Sequence, residues 1–244
     1  MTDEAIERAA LNNARWCDAV CTAHGHPGHF ETGLWRNRHA APRFYPNAVT
    51  LSRGDTASQQ QRVAELVDAG LASGWGVKDS FCTLDLSPLG FHVLFEARWI
   101  SRKPAAADDE QRRHRGAGAL AARRVTSAEE LAAWERVWAD GSTGERVFLP
   151  ALLRDDIAVI AVVRDRTIVA GVIANRTDQV VGVSNFFTRV GEDARAVCLD
   201  AVEQAYPGRT LVGYEVGDEL SAMRAFGFDD LGPLRVWLRD SPAP

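Results

Sequence analysis

Lysine is nearly missing from this chain of 244 residues: only Lys78 and Lys103 occur, and arginine supplies 26 of the 28 basic side chains. Both residue types solvate a surface, so the imbalance reads as codon bias and decides nothing about partners. Positive charge is not in excess either. The formal net charge is -5, which leaves no overall positive field for a phosphate backbone or an anionic lipid, so nucleic acid and membranes are not expected partners. Long apolar runs are absent: the longest, Ile157 to Val163, is about one third of the roughly 20 residues that span a bilayer. Cysteine is sparse, and Cys17, Cys21, Cys82 and Cys198 all lie in apolar helix or strand contexts rather than in a disulfide framework. The first seven residues, with Asp3, Glu4 and Glu7, lack a secretory leader's basic and apolar regions. A reducing, cytoplasmic location is the expectation.

What is present is ordinary globular composition, 46% hydrophobic and 25% charged. A chain of this size can bury roughly 70% of its unfolded surface, enough for a core without metal or disulfides. The composition breaks at Lys103 to Gly118, which has no apolar period, so residues 1–103 and 119–244 read as two α/β halves around a linker at 104–118. In the first half, helical spacing joins Ile6, Ala10, Ala14, Cys17 and Cys21, with Thr2 and Asp3 as caps. A Gly- and His-rich bend follows, then a strand expected from Phe44 to Leu51. Thr56 and Gln59 have capping-box spacing before a helix with Val63, Leu66, Val67 and Leu71 on one face, ended by Gly74. Strands at Ser80 to Leu86 and Phe91 to Ile100, joined by Ser87-Pro88-Leu89-Gly90, predict a hairpin.

The second half predicts a strand at Ala121 to Val125 and a helix opened by a Ser127/Glu130 capping box. Three meander strands follow, Ile157 to Arg164, Ile168 to Asn175 and Val180 to Thr188. A helix carrying Ala194, Val197, Cys198, Ala201 and Val202 leads to a strand at Thr210 to Val216. A short helix, Asp218 to Ala225, and a last strand, Leu234 to Arg239, end the pattern. This order, together with Ser127-Ala128-Glu129-Glu130-Leu131, Val169-Ala170-Gly171-Val172 and Ala225-Phe226-Gly227-Phe228, resembles the GNAT acyl-CoA N-acyltransferase superfamily over about residues 119 to 240. The first half, with its strand, helix and hairpin, resembles a truncated copy of the same fold.

The resemblance implies a mixed, mostly antiparallel sheet flanked by helices, whose fourth and fifth strands splay apart to take the pantetheine arm of acetyl-CoA. The pyrophosphate would then meet backbone N–H groups at the following helix start. It implies cofactor contacts along Phe186, Phe187, Thr188, Arg189 and Gly191. The loop Thr188-Arg189-Val190-Gly191-Glu192-Asp193-Ala194 departs from the family pattern, with one glycine and two carboxylates where phosphate would sit. Met223 stands where the family often places a tyrosine acid, so proton handling passes to Tyr214 or Glu215, adjacent on the fifth strand. A small-molecule or peptide amine is the implied acceptor, and attack on a thioester needs no protein nucleophile. The alternative is a scaffold that keeps the fold as a binding or interaction module.

Other clusters read as structure. Cys17, Cys21, His24, His26 and His29 carry zinc-type donors, but their spacing fits no standard zinc module, so no metal is expected. The run Arg112-Arg113-His114-Arg115 is nearly cancelled by Asp108 to Glu110 and reads as a solvated linker. The seven tryptophans are spread along the chain, as core packing requires.

Overall fold

The computed structural model describes residues 2–70, 75–104, 120–142 and 144–240. Leu71, Gly74, the run Arg112 to Arg115 and almost all of the expected linker lie outside them. The chain divides into two compact units. The first comprises Met1–Ile100, Tyr214–Arg224 and Asp229–Pro244; the second comprises Ser101–Gly213 and Ala225–Phe228. The last strand therefore belongs to the unit built by the first hundred residues.

The first unit opens with α1 (Thr2–Ala23). Ala9, Ala10 and Ala14 are fully buried on it, so its backbone approaches the strands closely. Asp3 lies in its first turn, where the carboxylate holds Arg53 at 3.1 Å. Strands β1 (His29–Glu31) and β2 (Leu34–Arg36) form a hairpin through Gly33, and β3 (Ala48–Thr50) pairs antiparallel to β2. Helix α2 (Thr56–Asp68) then crosses over to β4 (Trp75–Asp79), which runs parallel to β3. Period-two alternation sorts the side chains: Leu34 and Ala48 join Val63, Leu66, Trp75 and Val77, while Trp35 and Val49 join Ala14, Cys17 and Cys21 on α1. Strand β5 (His92–Arg102) is separated from β4 by β11 (Asp229–Arg239), which pairs antiparallel with β4.

Four expectations in this half are corrected. The strand expected at Phe44 to Leu51 shrinks to Ala48–Thr50, because Phe44 adopts φ 74° and Pro46 has no N–H to donate. The strand expected at Ser80 to Leu86 ends at Asp79, whose carboxylate accepts from the N–H groups of Phe81 and Leu84 and turns the chain. The expected hairpin across Ser87 to Gly90 is a single 3-10 turn, Ser87–Leu89, between strands that are not neighbours. Helix α2 is capped by Asp55, not by a Thr56/Gln59 box. Asp55 accepts from Ser58 N, and Gln59 instead donates to the carbonyls of Gly33 and Ser52 at 3.0 Å.

The second unit follows its sequence closely. Strand β6 (Ala121–Arg124) leads to α3 (Ala128–Trp138), opened by the reciprocal capping box of Ser127 and Glu130. The backbone N–H of Thr126 on the Glu130 carboxylate and the Arg123 guanidinium beside it hold that carboxyl below its ordinary range. Strands β7 (Ile157–Arg164), β8 (Thr167–Thr177) and β9 (Val180–Thr188) form the antiparallel meander, with β6 on β7. Helix α4 (Glu192–Ala205) crosses over to β10 (Thr210–Glu215), which runs parallel to β9. Helix α5 (Gly217–Ala225), which apart from Ala225 belongs to the first unit, precedes β11. The fold class is the expected one, mostly antiparallel strands with helices packed on them. No helix among the described residues is long and apolar enough to cross a membrane.

Candidate active site

The ladder between β9 and β10 is short. It pairs Thr210, Leu211 and Val212 with Val180, Val181 and Gly182, and stops there, while β9 runs on to Thr188. Along its other edge β9 stays bonded to β8, but the register slips: Gly171 faces Phe187 while Ile173 faces Ser184. Three steps on β9 thus oppose two on β8. The extra residue is Asn185, whose φ of 53° places it in the left-handed region that asparagine tolerates better than most side chains. Such a bulge bends and twists a strand, here in the stretch where the β10 ladder has ended.

The bulge also sorts the two phenylalanines. Phe187 packs edge-on against Trp134 of α3, centroids 5.2 Å apart, over Gly171, whose missing side chain makes the room. Phe186 lies beneath the guanidinium of Arg195, 4.4 Å from its centroid. Thr188 closes the loop beyond, its hydroxyl donating to Gly191 O and accepting from Val190 N. Arg189 is engaged elsewhere: its guanidinium donates to Val137 O and pairs with Asp140 at 2.7 Å, at the end of α3. Gly191 is the N-cap of α4, with φ 83° and ψ -159°, no side-chain cap and no atom within 4 Å of where a Cβ would stand. Of the two carboxylates that follow, Glu192 accepts from the buried Arg195 at 3.1 Å, so the acidic rim carries less than two uncompensated charges.

Tyr214 and Glu215, at the end of β10, belong to the first unit, and Phe186 to Gly191 belong to the second. Within its unit, Tyr214 lies edge-on to Trp99 at 5.6 Å and accepts from Lys78 at 3.2 Å. Glu215 is half-buried. Met223 is 2% exposed and serves as core. Sequence reading missed Asn185 and Arg195. The polar pair Ser184-Asn185 inside an apolar strand is a bulge signal, whereas an arginine in a first helical turn carries none.

Cys17, Cys21 and Cys198 are buried thiols, and Cys82 is half-buried. Burial pushes Cys17 up to about 11, and Cys21 and Cys198 up to about 12, away from the thiolate that metal binding needs. Among the described residues, no three His, Cys, Asp or Glu side chains come together as a metal site.

No family model and no curated protein matches the sequence. Solved structures do. A GCN5-related N-acetyltransferase from Kribbella flavida is 16% identical, covers 97% of this chain and 96% of its own, and has a TM-score of 0.65. One from Sphaerobacter thermophilus is 12% identical over 98% of this chain and 95% of its own, with a TM-score of 0.55. A tandem GNAT protein of the clavulanic acid biosynthesis pathway is 12% identical over 86% of this chain and 79% of its own, with a TM-score of 0.54. The chain has the GNAT fold, and the likeness extends well beyond residues 119 to 240.

Proposed function

We propose that this chain is an acyl-CoA-dependent N-acyltransferase acting on a small-molecule or peptide amine. The observation that carries the reading is the early end of the β9–β10 ladder beside the Asn185 bulge and the open Gly191 turn. Acetyl-CoA fits this donor set: strand edge beyond Gly182 for an extended amide-bearing arm, and an uncapped helix start for an anion. Phe186 to Thr188 and Gly191 would hold it, and it would supply an activated thioester. Arg189, tied to Asp140 and Val137 O, serves better as the brace of that loop than as a phosphate ligand.

Direct attack by a neutral amine asks the protein mainly for positioning and proton transfer. Tyr214 is the candidate acid: its oxygen accepts from the Lys78 ammonium, which has no lone pair, so the phenolic hydrogen is free to be given elsewhere. Glu215 is the candidate base for the incoming amine, through water. The second reading, a binding module without turnover, is favoured by Met223, a buried thioether where the family often carries a tyrosine.

Release of free CoA thiol, measured across a panel of amines with acetyl-CoA as donor, separates the two. Amine-dependent release that falls at least tenfold in Tyr214→Phe or Glu215→Gln supports the enzyme. Tight acetyl-CoA binding with no release from any amine supports the module.

A further inference from the structure

Four cationic side chains are buried among the described residues: Arg36, Lys78, Arg102 and Arg195. Three of them meet a carboxylate. Arg36 pairs with Glu31 and Glu65, Arg102 with Glu203, and Arg195 with Glu192. Lys78, 4% exposed on β4, does not. Its ammonium donates to Asn13 Oδ1 at 2.7 Å and to the Tyr214 hydroxyl at 3.2 Å, and lies 4.3 Å from the centre of the Tyr214 ring. These partners are neutral, and an ammonium carries three donors, so neither its charge nor its full donor capacity is answered by them. Two positions on, Ser80 has a buried hydroxyl with no partner, and its carbonyl accepts from Trp99, the ring against which Tyr214 packs. A buried cation without an anion is costly, and a ligand carboxylate would supply the charge that these partners lack. Asn13 and Tyr214 are only half-buried, so the cluster around the buried Lys78 is not closed off from solvent on every side.

We propose that Asn13, Lys78 and Tyr214 form a carboxylate-binding site in the first unit. Resting on the acyltransferase reading, this makes the acceptor an amine that also bears a carboxylate, such as an amino acid. The site takes the carboxylate as a charge-assisted hydrogen-bond acceptor on the Lys78 ammonium, with the Asn13 amide and the Tyr214 hydroxyl as neutral neighbours.

The scarcity of lysine makes the test direct. Full-length protein labelled with 13Cε-lysine gives one signal for Lys78 and one for Lys103. At constant ionic strength, sodium acetate and glycine are expected to shift the Lys78 signal saturably while ethylamine leaves it in place, and Lys78→Met is expected to weaken glycine binding about tenfold or more in calorimetry. An unmoved Lys78 signal in acetate and glycine, or an equal response to ethylamine, overturns the proposal. The wild-type titration decides the matter even where Lys78→Met does not fold. Because no acetyl-CoA is present, a carboxylate response without turnover leaves this site standing and removes the enzyme, and acetyl-CoA turnover with a silent Lys78 does the reverse.

Discussion

The described residues include two parallel crossovers, β3–α2–β4 and β9–α4–β10, and they end differently. In the first, β3 stops at Thr50, Asp55 caps the helix with its own carboxylate, and Arg53 beside it is held by Asp3. In the second, β9 continues six residues past its last β10 pair, carries a bulge, and reaches a glycine cap that offers no side chain to the helix start. The first crossover gives its helix start a side-chain acceptor. The second gives none, and the acyl-donor site proposed above is drawn at that helix start.

The largest effect that sharpens this comparison is alkaline unfolding. Cys17, Cys21 and Cys82 lie in the first unit, Cys198 in the second, and burial raises all four from 9.0 to between about 11 and about 12. The folded state keeps these protons where the unfolded chain releases them, so the stability they carry is complete below about pH 9 and lost toward the raised values. The slope is about 1.4 kcal/mol per pH unit for each thiol. Thermal melts from pH 8 to 10.5 should fall steeply, with the first unit's amides losing hydrogen-exchange protection before those of the second. A flat profile contradicts the burial.

Next in size is Gly171→Val. A Cβ there would stand 2.8 Å from the Phe187 ring and against the Trp134 indole, both closely packed. A loss on the order of 3 kcal/mol is expected, with weaker acetyl-CoA binding as β9 shifts. Chemical denaturation reads the first and calorimetry the second. Gly191→Ala forces a side chain into a conformation that only glycine adopts readily and should cost about 1–3 kcal/mol. Asp55→Ala removes a cap for about 1 kcal/mol and should leave acetyl-CoA affinity unchanged. Equal effects of these two on binding would erase the distinction between the crossovers. The smallest effect concerns the acidic rim: Asp193→Asn should tighten acetyl-CoA by about two- to fivefold, and Glu192→Gln by less, because Glu192 already meets Arg195.

The two halves were not equally legible. From Ala121 onward, elements are long enough for periodicity to speak, and the Ser127/Glu130 box, the meander and α4 all stand where their residues indicate. In the first half, β1, β2 and β3 have three residues each, too few for any period, and β4 spans Trp75–Asp79 rather than the expected Ser80 to Leu86. The membership of β11 in the first unit is a long-range pairing that no local pattern encodes. At the site, the strand, loop and helix start were readable, but the engagement of Arg189 by Asp140 and of Glu192 by Arg195 depends on side chains meeting in space.

Calorimetric titration of acetyl-CoA into the full-length protein tests the central claim most directly. One molecule bound per chain at micromolar affinity, weakened in Gly191→Ala and retained in Asp55→Ala, is the predicted result. No heat at millimolar ligand, or binding that survives Gly191→Ala and is lost in Asp55→Ala, would contradict it.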